Sequence, residues 1–322
     1  MEQEAICIPD RKRARRTASL CAFATVAVFA LSYGLAALYR YLTRNLTQSV
    51  LTGANASLIV NVLINDLIAM PLCWLIFLRR IPKNETLAGD VPDRTPLRVR
   101  TLLFYLPCVY ALAYAGGLTG QLIGLLKGEG LNNVLVNTVM GVDPWVTILC
   151  AAIIGPVAEE LFFRKALIDR LSQFHPTDAI LLSALLFGMI HGNVTQFLYA
   201  FPIGVLLGII YWRTKNIRFT ILLHIGMNVI GGVLPQLVQM LQSAGQTNEI
   251  LRMIAALAMM AFASSMLGLV AVGVIFLIRF RRRFLPIESP LPRCRKPFYV
   301  NVGWFVACTV FTALFVYVEW IA

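Results

Sequence analysis

Nine long apolar stretches, separated by short polar connections, make up most of this chain. They lie at about 18–42, 57–78, 100–126, 145–168, 178–191, 195–213, 217–241, 250–278 and 298–321. A helix needs about 20 residues to cross the hydrocarbon of a bilayer, with a range of roughly 17–25, and most of the stretches reach it. The fifth, Asp178 to His191, is short and has to be tilted, half-buried in protein or extended at one end. Lipid leaves no partner for an open sheet edge, so helices are the expected form. The pattern predicts an all-α polytopic transmembrane helical bundle of eight or nine spans.

Composition agrees. Of 322 residues 58% are hydrophobic and 14% charged, with mean hydropathy +0.74, whereas soluble domains carry about 25% charge. The connections are too short to hold a soluble domain. The net charge of +12 sorts by topology. With the N-terminus in the cytoplasm, 24 of the 28 Lys and Arg residues face that side, leaving Arg40, Arg44, Lys127 and Arg252 on the other. That asymmetry follows the positive-inside rule, and the basic loops are expected to meet anionic membrane lipids rather than nucleic acid. An integral, multi-pass protein of the cell membrane is expected. The first apolar stretch exceeds a signal-peptide core of about 7–15 residues and reads as a retained span. Seven scattered cysteines (Cys7, Cys21, Cys73, Cys108, Cys150, Cys294, Cys308) form no CxxC pair and suggest small buried hydrophobes rather than disulfides or a thiolate metal site.

The chain divides into N-terminal spans and a loop (1–143), a chemistry-bearing core (144–242) and C-terminal spans (243–322). Arg79 to Arg100, with Pro82, Gly89, Pro92 and Pro96, reads as a cytoplasmic connector, and the proline-rich Leu285 to Pro297 sets off the last span. Gly116, Gly120, Gly124 and Gly128 recur at every fourth position, as do Gly204 and Gly208; both sets read as close helix packing. Asn61, Asn65 and Asp66 on the second stretch read as interhelical hydrogen bonding and structural pairing.

Chemistry enters with Glu159 and Glu160, adjacent acids inside the fourth stretch. A carboxylate near mid-membrane costs about 2.5–3.5 kcal/mol on insertion scales, so two suggest function. Glu160 and Arg164 are four apart and can pair on one helical face. Glu159 points about 100° away, which predicts separate neighbours and separate roles, one acid structural and one catalytic. Pro156 upstream removes a backbone N–H and can open room for water. The fifth stretch ends in Phe187-x-x-x-His191, and the seventh holds His224-x-x-x-Asn228. His175, the third histidine, reads as a solvated loop residue. For these groups to meet, the fifth span must tilt or start deeper, or the fourth must run past Arg164 toward Leu171; the last is favoured, and it makes Arg164 an interior charge.

Glu159-Glu160-x-x-x-Arg164, Phe187-x-x-x-His191 and His224-x-x-x-Asn228 together resemble the three motifs of the CPBP family, the CAAX-protease and bacteriocin-processing (Abi) intramembrane proteases. The resemblance spans Trp145 to Gly232, a four-helix catalytic core. It implies peptide-bond hydrolysis within the membrane, on a peptide or protein tail, CAAX-type or bacterial. Carried over by motif position, Glu159 is the general base, with Glu160 and Arg164 in its motif; His191 assists the water or binds metal; His224 and Asn228 stabilise the oxyanion. A divalent metal such as zinc, held by Glu159, His191 and His224, is one route and a metal-free glutamate route the other. The helical HExxH pattern is absent, and a tightly held structural zinc is not the favoured reading. The competing readings are a catalytically silent scaffold or immunity-type protein on the same fold, and a proton-coupled transporter.

Overall fold

Asp10 starts the first span. Its carboxylate accepts from the backbone N–H groups of Lys12 (2.9 Å) and Arg13 (3.2 Å), which meets two of the donors that every helix start leaves open. Helix α1 then runs Arg11–Thr43. The computed structural model describes residues 10–46, 53–84, 95–128, 139, 141–246, 248–285, 287 and 295–320. The remaining embedded helices are α2 Ala54–Leu78, α3 Val99–Leu126, α4 Pro144–Leu171, α5 Pro176–Met189, α6 Val194–Thr214, α7 Ile217–Ala244, α8 Glu249–Arg279 and α9 Val302–Trp320. No strand occurs among the described residues. Seven of these helices are long and apolar enough to cross a bilayer, while α5 and the apolar Val302–Val318 part of α9 are shorter. The protein is an all-α, multi-pass membrane bundle, and its helices coincide with the nine apolar stretches.

Helices α4 to α7 lie between two flanking groups. On one side, α1, α2 and α9 pack onto α4 and α5 through Phe29, Met70, Phe162, Phe163, Leu182 and Phe311. On the other, α3 packs onto α6 and α7 through Tyr105, Val109, Ile203, Leu207 and Leu223, and α8 lies against α3 and α7. Leu257, Met260, Leu267 and Ile275 of α8 are exposed, as expected of a helix that faces lipid.

Glycine sets the closest approaches. A Cβ at Gly116 would overlap the backbone of Leu198 and Tyr199 on α6, and one at Gly120 would overlap the Thr195 side chain. Gly204 and Gly208 likewise leave room for Ala184, Phe187 and Ile180 of α5. The packing reading of those glycines therefore holds at these four positions. Gly116→Leu is expected to push α6 outward and cost about 1–3 kcal/mol, the usual penalty of overpacking. A detergent thermal scan should register this as a melting point lower by several degrees, and an unchanged melting point would contradict it.

At the end of the bundle that carries most basic loops, α4 is anchored by charge. Lys165 and Asp169 pair at 3.1 Å, and Tyr211 Oη donates to Asp169 at 2.5 Å. Arg170, 1% exposed, donates to the carbonyls of Leu78 (2.7 Å) and Ala166 (2.8 Å). Helix α4 does run to Leu171, so Glu160 lies eleven residues, about 16 Å, from that end. His175 is not solvated. It is 4% exposed, with Nδ1 3.5 Å from Asp178, because it caps the tight α4–α5 turn and is folded under it. Cys21, Cys73, Cys108 and Cys150 are buried and unbridged, and Cys308 is half-buried; Cys7, Cys294, Gly89 and Pro92 lie outside the described residues. Asn65 accepts a 3.0 Å bond from Ser32 of α1, whereas Asn61 is exposed.

Candidate active site

Pro156 shapes the site before any acid does. Ahead of it the hydrogen bonds of α4 are wide, with Gly155 N–H reaching Cys150 O five residues back. Continued one step, that register would call on a Pro156 N–H to bond Ala151 O, and proline has none. Asn228 of α7 fills the gap, its Nδ2 donating to Ala151 O at 2.9 Å. The amide thus repairs the backbone and holds α7 to α4. Its second N–H remains for the cavity that it lines.

One turn on, the two glutamates part. Glu160 is fully buried, its Oε2 3.3 Å from Arg164 Nε. His224 Nδ1 lies 3.0 Å from Glu160 Oε1, and the Thr220 hydroxyl one turn before His224 donates to the Ile217 carbonyl at 3.0 Å. Glu159 keeps 19% of its side chain exposed and lines a cavity of about 700 Å³. The difference separates a structural acid from an accessible one. The expectation that the two share no neighbour is corrected: His224 Nε2 lies 3.6 Å from Glu159 Oε2. An imidazole carries nitrogens on two edges of its ring, and α7 presents His224 to the seam between the acids, so one ring reaches both.

Phe187 is the hub on the far side. Arg164 lies 4.4 Å from its ring centroid, and both histidines meet it edge-on, His191 at 5.1 Å and His224 at 5.8 Å between centroids. A cation over an aromatic face gains electrostatic attraction, which helps to keep Arg164 charged while it is 1% exposed. His191 follows the end of α5, its Nδ1 2.8 Å from the Phe187 carbonyl. A carbonyl only accepts, so Nδ1 carries the hydrogen and Nε2 holds the lone pair. Gly192, at φ +75°, then reverses the chain, a conformation cheap only for glycine.

Glu159, His191, His224 and Asn228 all line the same cavity, whereas Glu160 and Arg164 support it from behind. Four further polar groups were not picked out as site residues in the sequence. Asp66 of α2, held by Asn65 at 2.8 Å, lines the cavity beside Gly155. Gln196 and Tyr199 of α6 line it too, and Thr220 stands behind Glu160. Gln196 and Tyr199 follow His191 by five and eight residues, so no i,i+4 spacing from the motif histidine marks them. Met227, Met259, Phe262 and Met266 make the apolar wall.

Among the described residues, no group of three or more His, Cys, Asp or Glu side chains stands at metal-holding spacing. His224 Nδ1 is taken up by Glu160 at 3.0 Å, while its Nε2 lies 3.6 Å from Glu159 Oε2. Glu159, His191 and His224 do not stand as the set of three ligands that a catalytic zinc, with its fourth position open, takes.

Residues 141–230 match the family described as "Type II CAAX prenyl endopeptidase Rce1-like". Among curated proteins, the chain is 29% identical over 160 residues to the "Putative membrane peptidase YdiL" of Bacillus subtilis (strain 168). That alignment covers 48% of this chain and spans 63% of the relative's length. No solved structure matches the chain.

Proposed function

We propose that this chain, whose residues 141–230 match the Rce1-like family and which is similar to a membrane peptidase, is an intramembrane endopeptidase of the CPBP family driven by a glutamate-activated water. The observation that carries the proposal is the convergence of Glu159, His191, His224 and Asn228, from two helices and a turn, on one cavity. Glu159 takes a proton from water, and the water oxygen attacks the carbonyl carbon of the scissile amide. The carbonyl electrons move onto oxygen, and when the tetrahedral intermediate collapses the C–N bond breaks and Glu159 returns the proton to the leaving amine. His191 Nε2, an acceptor, orients the water. His224, tied to Glu160, aligns Glu159. The free N–H of Asn228 donates to the oxyanion. Glu160 and Arg164 hold His224 and Phe187 in place. No step is assigned to a metal.

The substrate is a peptide or protein tail whose apolar part lies along the methionine-rich wall; methionine adapts to varied apolar shapes. The charge asymmetry of the basic loops supports an N-terminus in the cytoplasm. To test the proposal, membranes carrying wild-type protein or Glu159→Gln are compared by mass spectrometry of new peptide N-termini. Termini that appear only with wild type are expected. They should also form in detergent, where no ion gradient exists. Identical peptide sets in the two membranes would refute the hydrolase.

A further inference from the structure

We propose that Tyr199 is a further catalytic residue, its phenolic hydrogen completing with Asn228 a two-donor oxyanion hole. The inference rests on the hydrolase reading above. It begins with a shortage. Asn228 spends one amide hydrogen on Ala151 O, and His191 presents a lone pair rather than a hydrogen. A tetrahedral oxyanion formed here has one side-chain donor left from the three motifs, whereas such oxygens are usually held by two or more preorganised donors.

A hydrogen-bond chain with a fixed direction supplies the second. Asn193 accepts from the backbone N–H of Gln196 at 2.8 Å and so starts α6. Its Nδ2 donates to the His191 carbonyl (3.1 Å) and to Gln196 Oε1 (2.6 Å). Because Gln196 Oε1 is occupied as an acceptor, its amide nitrogen is turned the other way and donates to Tyr199 Oη at 3.0 Å. Tyr199 Oη thus accepts from within the protein and keeps its own hydrogen for another partner. Gln196, Tyr199, Asn228 and Glu159 line the same cavity, so that hydrogen is available to a substrate oxygen. The position is held as well as the direction. The Tyr199 backbone is seated against Gly116 of α3, where any side chain would overlap it, and the chain begins at the His191 turn itself. Tyr199 donates a hydrogen bond throughout and transfers no proton; the proton of the water travels through Glu159.

Tyr199→Phe removes the donor and leaves the ring. Removing one oxyanion donor costs about 10²–10³ in kcat. The test uses the full-length protein in lipid vesicles and a peptide spanning a cleavage event that wild type makes and Glu159→Gln does not. Tyr199→Phe is expected to lower kcat by about 100-fold, with KM within about threefold and an unchanged thermal unfolding profile. Gln196→Met keeps the hydroxyl but frees it to rotate, and is expected to lower kcat by roughly tenfold. A Tyr199→Phe enzyme with wild-type kcat overturns the assignment while Glu159→Gln, inactive beside it, leaves the hydrolase standing. A KM rise at constant kcat also overturns it, since that marks a residue that only shapes the pocket. If no cleavage event depends on Glu159, both readings fail together.

Discussion

Glu159→Gln is expected to abolish hydrolysis while the protein stays folded. The substitution keeps the volume and planarity of the side chain and removes only its capacity to take a proton. A positioned general base typically contributes about 10²–10⁴-fold. Here it also serves as the acid that returns the proton, so a loss of at least about 10³-fold in kcat is expected. Glu159 faces the cavity and is partly accessible, so a neutral amide there leaves no buried charge without its partner. Glu160→Gln is the instructive contrast. Glu160 is fully buried against Arg164 and His224, and its loss should lower thermal stability as well as activity. Turnover at the wild-type rate by purified Glu159→Gln would remove Glu159 from the mechanism.

Arg164→Met should be the most destabilising single change in the core. Its guanidinium is 1% exposed, paired with Glu160 and stacked on Phe187. Removing one partner of a buried ion pair leaves the other charge uncompensated, at a cost of about 3–5 kcal/mol. The double variant Glu160→Gln with Arg164→Met removes both charges and should recover part of that loss. Thermal unfolding of the two singles and the double in one detergent measures the coupling. Strict additivity would mean that the pair is not an interacting unit, contrary to the 3.3 Å contact.

The rods were legible because lipid imposes one rule on every crossing segment. Hydropathy located α1 to α9, and the depth argument placed the end of α4 near Leu171, where the structure has it. The i,i+4 spacing gave the Glu160–Arg164 pair and the common placement of His224 and Asn228. What was hidden was rotation. A helix apolar on every side carries no sequence mark of the face it turns inward, so Tyr199 and Gln196 were passed over and Asp66 was read chiefly as structural pairing, with catalytic support or an ion site as the alternative. The sharing of His224 by both glutamates was missed for a related reason: angular separation on one helix does not limit what a two-edged ring on another helix can reach. His175 was misread because a short turn can fold a polar side chain beneath itself, and local polarity does not report that.

The repair of Ala151 by Asn228 ties together two positions 77 residues apart in sequence. Replacing Pro156 by an ordinary residue would restore the missing N–H and set the amide free, while replacing Asn228 alone would strand a carbonyl in oil. Loss of the proline is therefore felt at the asparagine, and a chain without it would leave both amide hydrogens of Asn228 to the cavity.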